Sequence, residues 1–212
     1  MTRKIPITIP TGAVILEGML ELPATPIGVV LFAHGSGSSR FSPRNNAVAA
    51  ELRAAGVGTL LLDLLTPDED ATVQNRFDID VLVARLRAAA AWIGTEPLTA
   101  PLPLGLFGAS TGAAAALRLA ADSGTGIAAV VSRGGRPDLA GAALARVIAP
   151  TLLIVGGEDG VVIDLNRQAF DALGCEKALE IVHGAGHLFE EPGTMAQVSA
   201  MATSWFVRHF EL

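Results

Sequence analysis

The sequence predicts an α/β domain in which a mostly parallel sheet carries helices on both faces, and three observations predict it. Half of the 212 residues are hydrophobic and only 17% are charged, a balance that suits elements covered on both sides. Short apolar runs rich in Val, Leu and Ile recur along the chain, as strands buried on both faces do. Stretches of helical spacing lie between them, and strand–helix alternation implies right-handed crossovers. One domain, residues 1–212, is expected, since this length buries a core without disulfides or a structural metal.

In order, Ile5 to Ile9 and Val14 to Leu22 read as two strands of a hairpin turning near Thr11 and Gly12. Arg3 and Lys4 ahead of Ile5, Ile7 and Ile9 have the outline of a leader peptide. Pro6 and Pro10 interrupt it and no long apolar core follows, so a first strand is expected instead. Val29 to Ala33, Gly58 to Leu62, Leu104 to Phe107, Ile127 to Val131, Leu152 to Val155 and Ala178 to Val182 supply the further strands. A helix is expected from Pro43 to Ala55, capped by Ser42, with the proline at the first position where its missing N–H is harmless. From Phe77 to Ile93, residues Ile79, Leu82, Val83, Leu86, Ala90 and Ile93 share one face of an amphipathic helix, with Asp80 and Arg87 opposite. The last helix follows Pro192, with Thr194 and Gln197 in capping-box spacing and Val198, Met201, Ala202 and Trp205 directed inward.

A formal net charge of −6 disfavours nucleic acid and anionic membrane as partners. No stretch approaches the roughly 20 apolar residues that span a bilayer, so a soluble, cytoplasmic protein is expected. The single cysteine, Cys175, has no internal partner for a disulfide and reads as a half-buried small residue.

In a sheet of this kind ligands bind beyond the carboxyl ends of the strands, and reactive residues stand there. Leu104 to Phe107 runs into Gly108-Ala109-Ser110-Thr111-Gly112 and then an Ala-rich helix through Leu119. A serine on so sharp a strand-to-helix turn is exposed above the sheet, and the flanking glycines avoid collision. A serine hydroxyl is a poor nucleophile, so it needs a base in reach and the base needs an orienting carboxylate. Leu152 to Val155 leads to Glu158 and Asp159, and Ala178 to Val182 leads to His183 and His187, in the chain order Ser, Asp, His. Asp159 is favoured over Glu158 because it follows the turn, ahead of Gly160 to Val162. His187 is favoured over His183 because the Gly-Ala-Gly run gives it a loop long enough to reach across. His209 is expected at the surface. Two backbone N–H groups should face the oxyanion of acyl transfer: that of Thr111 and that of Ser36 in the His34 to Ser38 turn, with Gly35 as reserve. His34 is expected to be buried and to hold that turn by hydrogen bonds.

With these residues placed, the sequence resembles the dienelactone-hydrolase-like branch of the α/β-hydrolase superfamily. The signs are HGSGSSRFSPRN from His34 to Asn45, FGASTG from Phe107 to Gly112, GGEDGVV from Gly156 to Val162 and GAGHLFEEPG from Gly184 to Gly193. The resemblance implies the α/β-hydrolase fold, with an eight-stranded core and no large cap, no metal or organic cofactor, and a small ester or lactone substrate. Dienelactone hydrolases proper use a cysteine nucleophile where this chain carries Ser110, which favours a simple serine esterase.

Arg40, Arg44, Arg76, Arg133 and Arg136 fall where they could approach the carboxyl edge of the sheet. Most are expected to pin loops through Asp63, Asp68, Glu69 or Asp138. Arg40 and Arg133 are retained with Gly35 as candidate substrate contacts, since arginine binds carboxylates in a bidentate way. The activity expected is ester hydrolysis through an acyl-enzyme, with acyl transfer by the same intermediate, or a non-catalytic binding protein, as the alternatives.

Overall fold

The computed structural model describes residues 2–211. Eight strands form one sheet in the order β1-β2-β4-β3-β5-β6-β7-β8: β1 (Arg3–Thr11), β2 (Val14–Leu22), β3 (Gly28–Ala33), β4 (Val57–Leu62), β5 (Leu104–Ala109), β6 (Ile127–Arg133), β7 (Thr151–Gly156) and β8 (Lys177–Val182). The β1–β2 hairpin is antiparallel and joins β4 antiparallel, while β4, β3, β5, β6, β7 and β8 run parallel. Strands β3, β4 and β7 are buried along their whole length, as their apolar runs predict. The last run departs from that expectation: β8 is the sheet's edge and its residues are mostly half-buried.

Helices α1 (Pro43–Ala54) and α7 (Thr194–Phe210) cover one face; Val48, Leu52, Val198, Ala202 and Phe206 pack there on Phe32, Phe107 and Ile154. The other face carries the helices α4 (Ile79–Thr95), α5 (Thr111–Ala120) and α6 (Gly160–Ala172), with a 3₁₀ segment over Pro137–Arg146. Two four-residue helices, α2 (Pro67–Asp70) and α3 (Val73–Arg76), lie in the polar stretch after Thr66. Gly105 in β5 admits the ring of Phe206, which would stand 2.6 Å from an added Cβ.

Ser42 caps α1, its hydroxyl accepting from the Asn45 N–H at 3.3 Å, and Pro43 stands in the first turn. Helix α4 starts at Ile79 rather than Phe77, because the Asp78 carboxylate accepts from the Val81 N–H and ends the preceding loop. Ala89 rather than Ala90 completes its buried face. The capping box expected at α7 does not form: Gly193 takes the cap position at φ 82°, and the Thr194 hydroxyl donates instead to the Glu191 carbonyl at 2.8 Å. Trp205 and Met201 are half-buried, and Phe206 and Phe210 fill the inner face in their place. His209 is buried, not at the surface; Nδ1 donates to the Trp205 carbonyl at 2.7 Å and the ring packs on Trp205. Cys175 is half-buried, as expected. Among the described residues no helix is long and apolar enough to cross a membrane.

Candidate active site

Strand β5 sits near the middle of the sheet, and Ser110 follows its last residue at the head of α5. Its backbone is forced to φ 51°, ψ −122°, a conformation that costs a non-glycine residue about 1–3 kcal/mol. The surroundings hold it there: the Ser110 N–H donates to the Arg133 carbonyl at 3.3 Å, and the Ser110 carbonyl accepts from the Arg136 N–H at 3.0 Å. Both flanking glycines are sterically required. A Cβ on Gly112 would stand 2.1 Å from the Ala33 carbonyl oxygen, and one on Gly108 would stand 2.4 Å from the Ala113 Cα.

Asp159 follows β7 and heads α6; His187 lies in the loop after β8. The two loops are tied by Gly157 N–H to the Val182 carbonyl at 2.8 Å and Glu158 N–H to the Ala185 carbonyl at 2.9 Å. Gly156 permits that approach, since an added Cβ would meet the Ala185 carbonyl oxygen at 2.4 Å. His187 Nδ1 donates to Asp159 Oδ2 at 2.6 Å. A carboxylate accepts only, so Nδ1 carries a proton, and in the neutral ring that leaves the lone pair on Nε2. Glu158 and His183, the local rivals, are both exposed.

Ser110 and His187 line one small cavity of about 190 Å³ together with Gly35, Ser36, Ser38, Arg44, Arg133 and Gly134. Hollows of about 450 and 470 Å³ lie elsewhere, against the β1–β2 hairpin and near its open end; neither brings a nucleophile and a base together. Gly35 approaches the serine closely, an added Cβ standing 2.9 Å from Ser110 Cβ. Thr111 is the first residue of α5, so its N–H has no acceptor within the helix. Ser36 is exposed at the cavity. Beneath it His34 is buried as expected: Nε2 accepts from the Leu64 N–H at 2.9 Å and Nδ1 donates to the Gly35 carbonyl at 3.0 Å. Burial lowers its pKa, and the bond from Leu64 requires Nε2 to be unprotonated.

The arginines divide. Arg40 does not reach the cavity: its guanidinium pairs with Asp63 and with Glu17 at 2.6 Å, its backbone N–H donates to Asp63 Oδ1 at 2.6 Å, and the candidacy of Arg40 as a substrate contact is withdrawn. Arg76 pairs with Asp70 at 3.1 Å rather than Asp68 or Glu69, Glu69 being taken by Arg85 at 2.8 Å. Arg136 pairs with Asp138 at 2.8 Å, as expected. Arg133, the last residue of β6, lies in register beside Ala109 and is 7% exposed; its Nη2 donates to Asn45 Oδ1 at 3.2 Å. Asn45, buried in the first turn of α1, holds this guanidinium; standing at the end of the RFSPRN stretch, it carries no local signal of that partner. Phe189, whose ring centroid is 5.9 Å from the Arg133 guanidinium carbon, is a second strained residue at φ 55°.

The sequence profile of the dienelactone hydrolase family matches residues 49–210. A dienelactone hydrolase from Anabaena variabilis is 50% identical, covering 98% of each chain with a TM-score of 0.95. Est1E from Butyrivibrio proteoclasticus shares the fold, with a TM-score of 0.82 over 98% of this chain and 99% of its own at 13% identity. A Mycobacterium tuberculosis protein named "Putative phosphoribosyl transferase" is 56% identical over 93% of this chain, in each of two strains. This chain spans 45% of that relative's length. The cavity at the strand ends, with its serine on a strained elbow, thus belongs to an eight-stranded α/β-hydrolase fold, and the chain is a member of the dienelactone hydrolase family.

Proposed function

We propose that the protein is a serine hydrolase that cleaves small carboxylic esters or lactones through an acyl-enzyme, with Ser110, His187 and Asp159 as its catalytic triad. One observation carries the reading: the Asp159-bound imidazole of His187 and the strained Ser110 line the same cavity. In the cycle, His187 Nε2 takes the Ser110 hydroxyl proton as Oγ bonds to the ester carbonyl carbon. Asp159 keeps the ring in the required tautomer and stabilises the imidazolium. The carbonyl oxygen becomes an oxyanion, and the N–H groups of Ser36 and Thr111 are the donors we assign to it. On collapse the bond to the leaving oxygen breaks, and His187 returns the proton to the departing alcohol. Water then attacks the acyl carbon, giving a proton to His187; breakdown releases the acid and restores the Ser110 hydroxyl.

A cavity of about 190 Å³ lies below the roughly 300–1,000 Å³ typical of sites for drug-sized ligands, and this supports a short acyl group. The transferase name belongs to relatives more than twice as long as this chain, and ester chemistry is the part we ascribe to the half they share. The test is a fluorophosphonate followed by intact mass. One adduct is expected on the native protein and none on Ser110→Ala; a native protein that stays unlabelled while folded refutes the nucleophile.

A further inference from the structure

Between β4 and α4 the chain runs from Thr66 to Phe77 through α2 and α3, neither of which buries a residue. Polar bonds hold the segment instead. Glu69 Oε2 accepts from the Thr66 N–H at 2.9 Å, its Oε1 accepts from Arg85 of α4 at 2.8 Å, and its carbonyl accepts from Asn75 Nδ2 at 2.9 Å. The polarity is inverted as well: Val73 and Phe77 are exposed, while Asp70 and Arg76 line a crevice with His34, Gly35, Ser36 and Thr111. That crevice has no room for a water molecule, so the segment rests directly on the turn that carries the Ser36 N–H. A local rule broken in this way points to function rather than to folding.

Arg76 is the residue of the segment that meets the turn. Its Nε donates to the Asp70 carbonyl at 2.7 Å and its Nη2 to Asp70 Oδ2 at 3.2 Å, and a planar group held by two of its nitrogens does not swivel. Asp70 Oδ1 is buried without a hydrogen bond, 3.1 Å from Nε, so this carboxylate depends on the guanidinium as its counter-ion. Nη1 is left at the turn: an added Cβ on Gly37 would stand 3.5 Å from it. The turn itself is closed by the Ser38 N–H donating to the Gly35 carbonyl at 3.2 Å. On its inner side Gly35 abuts Ser110, where an added Cβ would stand 2.9 Å from Ser110 Cβ. Ser36 therefore lies between a contact with the nucleophile and a contact with the guanidinium.

We propose that Arg76, fixed by Asp70, is a positioning residue for ester cleavage: it braces the Gly35–Ser38 turn from behind and keeps the Ser36 N–H aimed at the oxyanion. The role rests on the reading of Ser110 as nucleophile and Ser36 as oxyanion donor. A ground-state carbonyl asks little of that donor, whereas the tetrahedral oxyanion needs it at hydrogen-bond distance. Loss of the brace therefore acts on kcat and spares KM.

The test compares Arg76→Ala and Asp70→Asn with the wild type on p-nitrophenyl acetate, with Asp68→Asn in the same short helix as control. In Arg76→Ala, kcat should fall on the order of ten- to a hundred-fold, at or below the roughly 10²–10³ lost with a whole donor, while KM stays within about twofold. Phenylboronic acid, whose adduct with the serine puts an oxygen where the oxyanion forms, should bind more weakly by the same factor. Asp70→Asn should show a smaller fall of the same kind, and Asp68→Asn none. Unchanged kcat in Arg76→Ala, or a loss of kcat/KM carried by KM, overturns the role. Amide hydrogen exchange gives a reading free of activity: Gly35 to Ser38 should exchange faster in Arg76→Ala than in the wild type while β3 and α5 do not change, and equal exchange in the turn overturns the brace. Should Arg76→Ala fail to fold, Asp70→Asn, which loosens the guanidinium without removing it, decides by the same readouts. A wild type that neither hydrolyses the ester nor takes the fluorophosphonate sinks the nucleophile reading and the catalytic part of this role with it, and the exchange comparison then judges the brace alone.

Discussion

Alanine at Gly112 and alanine at Gly94 are the same chemical change in two helices, and the structure gives them opposite signs. Each gains helix propensity, at most about 1 kcal/mol, the interior value, since Gly112 is the second residue of α5 and Gly94 the next to last of α4. At Gly94, within α4, the new methyl meets nothing within 4 Å, so the gain should appear nearly whole. A rise in stability of about 0.5–1 kcal/mol is expected, which for a chain of this size lifts Tm by roughly 1–4 °C. At Gly112 the methyl carbon would stand 2.1 Å from the Ala33 carbonyl oxygen and 2.6 Å from that of His34. Both are main-chain atoms at the end of β3, a strand buried throughout, so neither can swing aside as a side chain would. Overpacking of this kind costs about 1–3 kcal/mol, and backbone on the far side puts it at or beyond the upper end. After the propensity gain the net loss should be about 2 kcal/mol, a fall in Tm of roughly 4–8 °C. Urea titration of the three proteins, reading midpoint and slope, measures the pair, and esterase rate supplies a second readout because Ser110 and the Thr111 N–H must shift with Gly112. Equal midpoints for Gly112→Ala and the wild type, or a loss at Gly94 matching that at Gly112, would refute the steric account of the elbow.

Two further outcomes are expected. Asp159→Asn should lower kcat on p-nitrophenyl acetate by about 10³–10⁴, because the amide no longer dictates which ring nitrogen bears the proton, while Glu158→Gln should leave it within about threefold; equal losses would reverse the choice of acid. Because burial lowers the pKa of His34, the unfolded chain, whose imidazole titrates near about 6.5, binds more protons than the folded one below that pH. Stability should therefore decline as pH falls from 7 toward 5, and the decline in urea midpoint should be shallower in His34→Gln than in the wild type; parallel slopes would contradict a neutral buried ring.

The strands were legible because each is a short apolar run, a signal carried by neighbouring residues alone. The elbow and the Asp159 and His187 loops were legible for a related reason: each follows such a run directly and carries its glycines beside it. The edge position of β8 was marked only by Glu180, a charge inside the run from Ala178 to Val182 that stands exposed on the strand. Arg40 and Arg133 look alike in the sequence, yet Asp63 lies 23 residues from Arg40 and Asn45 lies 88 from Arg133, and which partner meets which guanidinium is settled by sheet order alone. The burial of His209 is not legible in the sequence, because it comes from a ring packed on Trp205 at the otherwise charged end of a helix. The short helices after Thr66 lie below the length at which periodicity can be read, although the Thr66 and Glu69 capping box marks the first of them.

The order of the sheet has an operational consequence. The serine hangs from a central strand, whereas the imidazole hangs from β8, which is held on one side only. Margins of a sheet open at lower free energy than its middle. On gentle warming, turnover should fade while far-ultraviolet ellipticity is still flat, and cooling should bring it back: the hinge between working and idle protein is the rim, not the centre.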